Sequence, residues 1–131
     1  METRESLRIL GDRLDEETNF TWLVDQVAKV QVAKDPSQSL WYVDAVRKKE
    51  QVAHFRSNFS CVHHVHFAAS EEVLKDRFLA RARDGDESDL PGAYEKHVEH
   101  PNEQAARSLV EIADAVLDLA AMSPEEAADA I

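Results

Sequence analysis

The sequence predicts an α/β fold with three layers, in which helices cover both faces of a mostly parallel sheet. Three short apolar runs lie at residues 40–44, 61–69 and 115–119. Runs of this length suit strands that are buried on both faces. Amphipathic segments alternate with the runs, and such alternation is typical of parallel sheets with right-handed crossovers. An all-helical domain is the alternative, because periodicity alone does not separate a short buried strand from a buried helix.

The first half of the chain predicts two helices, a strand and a third helix. From Thr3 to Glu17, leucines recur at three- and four-residue spacing. Asn19-Phe20-Thr21 offers caps for a second helix, which ends at Asp35-Pro36-Ser37 because proline restricts the residue before it. The strand Leu40–Asp44 and a solvent-facing helix from Ala45 to Arg56 follow.

The second half predicts two more strands, each followed by a helix with a clear start signal. A strand from Cys61 to Ala69 precedes Ser70, whose hydroxyl and following acids mark a helix N-terminus. A helix from Pro101 to Asp114 leads to a strand from Ala115 to Leu119. The last helix opens at Ser123-Pro124-Glu125-Glu126 with a capping box and a proline at its first position.

The composition is typical of one globular domain comprising residues 1–131. Hydrophobic residues make up 44% of the chain and charged residues 31%, which separates it from disordered chains. The formal charge of −11 argues against a general nucleic-acid-binding protein, whose affinity comes largely from neutralised phosphates. A local basic pocket for one small phosphorylated ligand is compatible with this charge.

Cysteine usage and hydropathy bear on the compartment. Cys61 is the only cysteine, so there is no disulfide framework and no CxxC motif. It adjoins an apolar run, which predicts a buried and unreactive thiol. No apolar stretch approaches the roughly 20 residues of a membrane helix, and the first residues lack the apolar segment of a signal peptide. We therefore expect a reducing cytoplasmic setting and no membrane partner.

Asp44 and Arg47 are the first candidate site residues. Ligands of open α/β sheets bind outside the carboxyl ends of the strands, and Asp44 ends the predicted strand. Its carboxylate is suited to a Mg²⁺ shell or to a ribose or base group, and Arg47 is suited to phosphate. The same pattern is also typical of a helix N-cap aspartate followed by a surface arginine.

A second candidate set precedes a segment of loop composition. Arg77 and Arg81 share a helix face at four-residue spacing, with Arg83 nearby, and lid arginines of this kind close over transferred phosphates. Residues 84–92 (Asp-Gly-Asp-Glu-Ser-Asp-Leu-Pro-Gly) then predict a lid-like mobile loop. The alternative is a solvated helix face that pairs with the nearby acids.

The histidines suggest a third hypothesis, a small metal-dependent hydrolase. His64 and His66 share one face of a strand, and His97 and His100 share a helix face next to Glu99. The pattern His-Val-Glu-His is one residue short of the H-x-x-E-H zinc hydrolase motif and lacks a third ligand. We therefore predict packed or surface histidines and no metal site.

No phosphate-binding loop occurs in these 131 residues. The chain contains three glycines, Gly11, Gly85 and Gly92, and neither G-x-x-x-x-G-K-[ST] nor G-x-G-x-x-G is present. The backbone amides that cradle phosphates in such loops are therefore missing from the sequence.

Several segments, in order, resemble the later two-thirds of a P-loop nucleoside or nucleotide kinase-like domain, similar to the one fused to some bacterial adenylosuccinate synthetases. The segments that carry the resemblance are Thr3-Arg4-Glu5-Ser6-Leu7, Val43-Asp44-Ala45-Val46-Arg47 with Glu50-Gln51, Val65 to Glu72, Tyr94, His100 to Glu103, and Ile112 to Asp118. It extends from about Thr3 to Ile131. The resemblance implies Mg²⁺- and ATP-dependent phosphoryl transfer to a nucleoside or nucleotide.

The resemblance also implies roles for individual residues. Asp44 would be catalytic, Arg4 and Arg47 would frame the acceptor, and the lid pair would clamp phosphates. In that family a first strand and its phosphate loop precede the region that matches Thr3, and this sequence contains neither. Without the loop, the β- and γ-phosphates lose their main anchor, so we expect no Mg²⁺ or ATP to bind this chain alone.

The lost strand would lie between the strands matched by Leu40–Asp44 and Val62–Ala68. Those two strands must then pair directly, accept a strand from a protein partner or dimer mate, or leave unpaired backbone groups. Two functions follow from this. One is an incomplete kinase-like domain whose phosphate loop lies upstream or on a partner. The other is a non-catalytic nucleotide-binding or assembly module that uses an exposed sheet edge.

Overall fold

The structure is a computed structural model that describes residues 3–44, 46–82 and 92–131, except for the side chains of residues 81 and 82. It is a mixed α/β structure, mostly helical, with a small parallel sheet. The elements in chain order are α1 (Arg4–Thr18), a π-helical segment (Leu23–Ala28), α2 (Lys29–Lys34), α3 (Lys49–Asn58), β1 (Val65–Ala68), α4 (Glu71–Ala82), α5 (Ala93–Glu99), α6 (Pro101–Ser108), a 3₁₀ segment (Leu109–Ile112), β2 (Ala115–Asp118) and α7 (Pro124–Ala130).

The chain divides into two compact units, Met1–Val62 and His63–Ile131. The described part of the first unit is helical and packs around three buried apolar side chains, those of Val24, Val52 and Phe55. The second unit contains the sheet, and its buried apolar side chains are those of Phe78, Tyr94, Leu109 and Ala127. The expectation of one domain over residues 1–131 stays a prediction.

The first helix forms where the leucine spacing predicts it, and local capping determines both of its ends. Thr3 and Ser6 form a reciprocal capping box at its start. Asn19 ends it in the left-handed conformation (φ 52°), and the Asn19 N–H donates to the Asp15 carbonyl. The structure therefore uses Asn19 to end α1, whereas the sequence predicted a cap for the next helix.

The predicted strand at Leu40–Asp44 is wrong. These residues have no regular secondary structure, and all of them are exposed. The Tyr42 side chain is 76% accessible to solvent. A strand requires hydrogen bonds to a neighbour, and β-propensity without a paired neighbour does not produce one. The predicted helix from Ala45 to Arg56 begins later, at Lys49, because an extended backbone at Lys48 precedes it.

The two remaining predicted strands form and pair with each other in parallel. Their register matches Val65 with Ala115 and Ala68 with Asp118. This confirms the parallel pairing within a mixed α/β fold. Both strands are shorter than predicted, and the preceding Cys61 is exposed, so the prediction of a buried thiol is wrong.

The predicted helix starts in the second unit are confirmed. The Ser70 hydroxyl accepts from the Val73 N–H at 3.4 Å, and Ser123 forms a capping box with Glu126. The helix predicted from Pro101 to Asp114 is α-helical only to Ser108. It then tightens to the 3₁₀ segment, which ends at Ile112. The predicted mobile loop at 84–92 lies outside the described residues, apart from Gly92. None of the described helices is long and apolar enough to cross a membrane.

A buried carboxylate connects the helices of the first unit. Asp15, which is 3% exposed, accepts hydrogen bonds from the Trp22 indole at 2.8 Å, the Gln51 amide at 3.0 Å and the Lys48 ammonium at 2.6 Å. Lys48 also pairs with Asp12 at 2.8 Å. Partial burial lowers the pKa of Lys48, but the two carboxylates outweigh it, so the net pKa is raised. Asp15 thus joins α1 to the start of α3.

We expect Asp15→Ala to destabilise the first unit by about 3 kcal/mol, the lower end of the range for breaking a buried ion pair, because Asp12 still partners Lys48. Urea unfolding followed by tryptophan fluorescence measures this, since Trp22 and Trp41 both lie in that unit. Glu17→Ala is the control, because it removes a carboxylate from an exposed pair on the same helix and leaves the midpoint unchanged. Equal midpoints for the two variants contradict the central role of Asp15.

Candidate functional site

The predicted site residues are divided between the two units. Arg4, Asp44 and Arg47 belong to the first unit and are exposed. Arg77 belongs to the second unit, and the Arg81 side chain lies outside the described part of the chain. The roles given to these five residues stay predictions.

The first candidate pair, Asp44 and Arg47, was predicted from a strand that the structure does not form. Asp44 lies on an irregular segment and does not end a strand. The Arg47 backbone N–H donates to the Gln51 side-chain carbonyl at 3.2 Å, and Gln51 in turn donates to the buried Asp15. This connection anchors the start of α3. Chemistry that depends on a strand end must therefore be sought in the second unit.

The strand ends that the structure does contain are those of β1 and β2. Because the strands are parallel, their carboxyl ends meet at one edge, where Ala68 pairs with Asp118. The Leu119 N–H extends the pairing by donating to the Ala68 carbonyl at 2.8 Å. The Asp118 carboxylate accepts from the Ala120 N–H at 2.9 Å and is exposed. This edge is the position at which open α/β sheets bind ligands.

Arg77 reaches this edge from α4. Its Nη2 donates to the Leu119 carbonyl at 3.3 Å, one residue beyond β2. Among the described residues, no carboxylate forms an ion pair with Arg77. The sequence also allowed a helix face that pairs with nearby acids. Within the described residues, Arg77 does not form such a pair. Its other guanidinium N–H groups are suited to an anion at the strand ends.

The acid at the start of α4 has a different partner. Glu71 accepts a forked pair of hydrogen bonds from Arg107 of α6, at 2.7 and 3.3 Å. The Tyr94 hydroxyl of α5 also donates to Glu71. Arg107 further contacts Glu103 at 3.2 Å, and Glu103 lies 3.4 Å from His97. We call these five residues (Glu71, Tyr94, His97, Glu103 and Arg107) the α4–α6 network.

The groups of the network shift one another's pKa values. Hydrogen bonds from Arg107 and then Tyr94 hold the pKa of Glu71 below its ordinary value. Burial, followed by the Glu71 carboxylate, raises the pKa of Tyr94. The Glu71 carboxylate also raises the pKa of Arg107. Near neutral pH the ionised carboxylate, the cation and the neutral phenol are thus the favoured forms.

An aromatic cluster lies beside the network. Phe78 of α4 meets the Tyr94 ring edge-on at 5.4 Å between centroids and the His97 ring at 5.2 Å. Lys75 lies over the Tyr94 ring and pairs with Glu95 at 3.2 Å. Phe78 is buried, so the helix face that carries it is directed into the unit.

The Mg²⁺ and ATP implied by the family resemblance stay predictions. Asp44, whose carboxylate suits a Mg²⁺ shell or a ribose or base group, lies on an exposed irregular segment. The chain contains no phosphate-cradling loop. No group of three His, Cys, Asp or Glu side chains in residues 3–44, 46–82 and 92–131 is arranged to hold a metal ion. His66 on β1 belongs to no such group among these residues. Partial burial lowers the pKa of His66.

Sequence reasoning missed the network and Asp118. The signal for Asp118 was available, since an acid follows an apolar run there as it does at Asp44. Glu103 and Arg107 have the i, i+4 spacing of a helical ion pair. The pairing of Glu71 with Arg107, 36 residues apart, has no local signal, because tertiary packing alone brings them together.

Comparisons with protein-family models, with curated proteins and with solved structures find no match.

The network predicts a pH dependence for the second unit. The folded-state pKa of Glu71 lies below its ordinary 4.5, so its stabilising effect is present above pH 4.5 and is lost as the pH falls through the folded value. The pKa of Tyr94 lies above 10, so its contribution is present below pH 10 and is lost on further alkalinisation.

We expect the second unit to be less stable at the acidic end of the range from pH 3 to 7. Urea unfolding, monitored by the NMR signals of the β1 and β2 amides, measures this stability. In Arg107→Gln this dependence becomes shallower, because Glu71 loses the partner that lowers its pKa. Identical pH dependences for the two proteins contradict the role of Arg107.

Proposed function

We propose that this chain is part of a three-layer, nucleotide kinase-like α/β domain, and that Arg77 binds a phosphate group at the carboxyl edge of its sheet. The ligand is a nucleotide or another small phosphorylated molecule. The observation that carries the proposal is Arg77, held against the end of β2 by the Leu119 carbonyl with no carboxylate partner among the described residues.

Three physical arguments support a phosphate ligand. Ligands of parallel sheets bind at the carboxyl ends of the strands, and Arg77 reaches those ends. The planar guanidinium presents donors whose geometry matches phosphate oxygens. In a chain with a net charge of −11, long-range attraction of anions is weak, so anion binding requires a local unpaired cation.

The other roles belong to the same proposal. Asp44 is the catalytic residue of the intact domain, Arg4 and Arg47 frame the acceptor, and Arg81 joins Arg77 in the lid. ATP, Mg²⁺ and transfer of a phosphoryl group to a nucleoside or nucleotide require a phosphate loop, which this sequence does not contain. We therefore propose that these residues alone bind phosphate weakly and do not catalyse transfer.

A non-catalytic nucleotide-binding or assembly module is the second candidate. The exposed apolar run Leu40–Val43 favours it, and so do Phe67 and Val116, which are each 49% exposed on the two-stranded sheet. Parallel sheets are ordinarily covered on both faces, so a protein partner or dimer mate at this sheet is part of this candidate. The phosphate titration below separates phosphate binding from the assembly form of this candidate, since an assembly module does not depend on Arg77.

We expect inorganic pyrophosphate to shift the NMR signals of residues 68–70 and 118–120 with millimolar affinity. Arg77→Met weakens binding about tenfold, as expected for the loss of one charge-assisted hydrogen-bonding group. Lys96→Met is the control, because it removes the same charge from an exposed position on α5. Equal affinities for wild type and Arg77→Met refute the proposal and favour the assembly module.

We expect no ATP turnover by this chain above a protein-free blank, measured as phosphate release in the presence of Mg²⁺. Without loop amides and the loop lysine, the β- and γ-phosphates are not anchored. Isothermal titration calorimetry supplies the second readout. Micromolar Mg-ATP affinity contradicts this prediction, because it requires an anchor that the sequence does not contain.

A further inference from the structure

The α4–α6 network holds α4 at its first turn. The Arg107 side chain is 30% exposed, and it forks onto Glu71 while its Nε contacts Glu103. The Tyr94 hydroxyl donates to the same Glu71 carboxylate. Helices α5 and α6 therefore both contact a single acid at the N-terminus of α4.

A second anchor lies two turns along the same helix. Phe78 follows Glu71 by seven residues, so the two lie on nearly the same face, roughly 10 Å apart along the axis. The Phe78 ring packs against the rings of Tyr94 and His97, which are on the helix that also contacts Glu71. Two anchors on one face determine both the position of α4 and its rotation about its own axis.

The rotation of α4 decides where Arg77 lies. Successive helical residues are separated by about 100° around the axis, so Arg77 lies beside the anchored face. From there its guanidinium contacts the Leu119 carbonyl at the carboxyl edge of the sheet. A small rotation or shift of α4 moves the guanidinium away from that edge, because the contact of 3.3 Å is already at the long limit for N–H···O bonds.

We propose that Arg107 is a positioning residue for the phosphate site: through Glu71 it holds α4 so that Arg77 lies at the strand ends. This inference rests on the proposed phosphate binding by Arg77. Arg107 is suited to the task because a forked guanidinium–carboxylate pair constrains direction as well as distance. A lysine at this position keeps the charge but loses the fork.

The test measures pyrophosphate affinity by NMR, at about 0.15 M salt so that charges more than about 8 Å from the site are screened. Arg107→Gln weakens binding about fivefold, within the range that non-contacting coupled residues produce. Arg107→Lys retains one ion pair and falls between wild type and Arg107→Gln. Lys96→Gln, an exposed charge on α5, leaves the affinity unchanged.

A double-mutant cycle separates positioning from general destabilisation. Glu71→Gln also weakens binding, and the combined variant Glu71→Gln/Arg107→Gln loses less affinity than the product of the two single losses, because both variants remove the contact between Arg107 and Glu71. Without ligand, the Nε–Hε NMR signal of Arg77 also moves in these variants. Its chemical shift changes more in Arg107→Gln than in Arg107→Lys, in the same order as the losses of affinity. Temperatures are chosen at which the strand amide signals show each variant to be folded.

The outcomes distinguish this inference from the proposed function. If wild type and Arg77→Met bind pyrophosphate equally, the proposed function fails. If Arg77→Met loses affinity but folded Arg107→Gln binds like wild type, only the positioning role of Arg107 fails. If Arg107→Gln does not fold, unchanged affinity in both Arg107→Lys and Glu71→Gln overturns the role, and graded losses support it. A loss in Lys96→Gln equal to that in Arg107→Gln also overturns it, because net charge then explains both.

Discussion

Parallel pairing of β1 with β2 is the constraint on which the second unit depends. Two parallel strands are not joined by a short turn, so the chain between Ala68 and Ala115 must form a connection. Helices α4, α5 and α6 lie within that connection. Parallel direction also places both carboxyl ends at one edge, and that edge is where Arg77 reaches the Leu119 carbonyl. The parallel direction of these two strands therefore determines which edge of the sheet Arg77 contacts.

In each unit a carboxylate with several donors joins helices that are distant in sequence. In the first unit, Asp15 accepts from an indole, an amide and an ammonium group. In the second, Glu71 accepts from a guanidinium and a phenol. The two differ in burial, since Asp15 is buried and Glu71 is exposed. Removing a buried acceptor costs more free energy than removing an exposed one, whereas an exposed forked pair contributes mainly direction.

The run Leu40-Trp41-Tyr42-Val43 shows how far local composition can mislead. Its β-branched and aromatic residues predict a buried strand, yet all four side chains are exposed. The run Val65–Ala68 contains one histidine and is less apolar, but it becomes a strand because Ala115–Asp118 pairs with it. Cross-strand partners, which lie far away in sequence, decide between these outcomes.

The sequence by itself determined the mixed α/β class, the start of α1, the hydroxyl caps at Ser70 and Ser123, and two of the three strands. These features depend on contacts within a few residues, or on apolar runs whose length is readable without a structure. Only the tertiary structure decided that Leu40–Asp44 is not a strand, that β1 pairs with β2, and that Arg107 contacts Glu71. The strand pairing and the contact between Arg107 and Glu71 join groups 36 or more residues apart, and no local spacing encodes such a contact because its free energy arises only when the helices and strands are packed together.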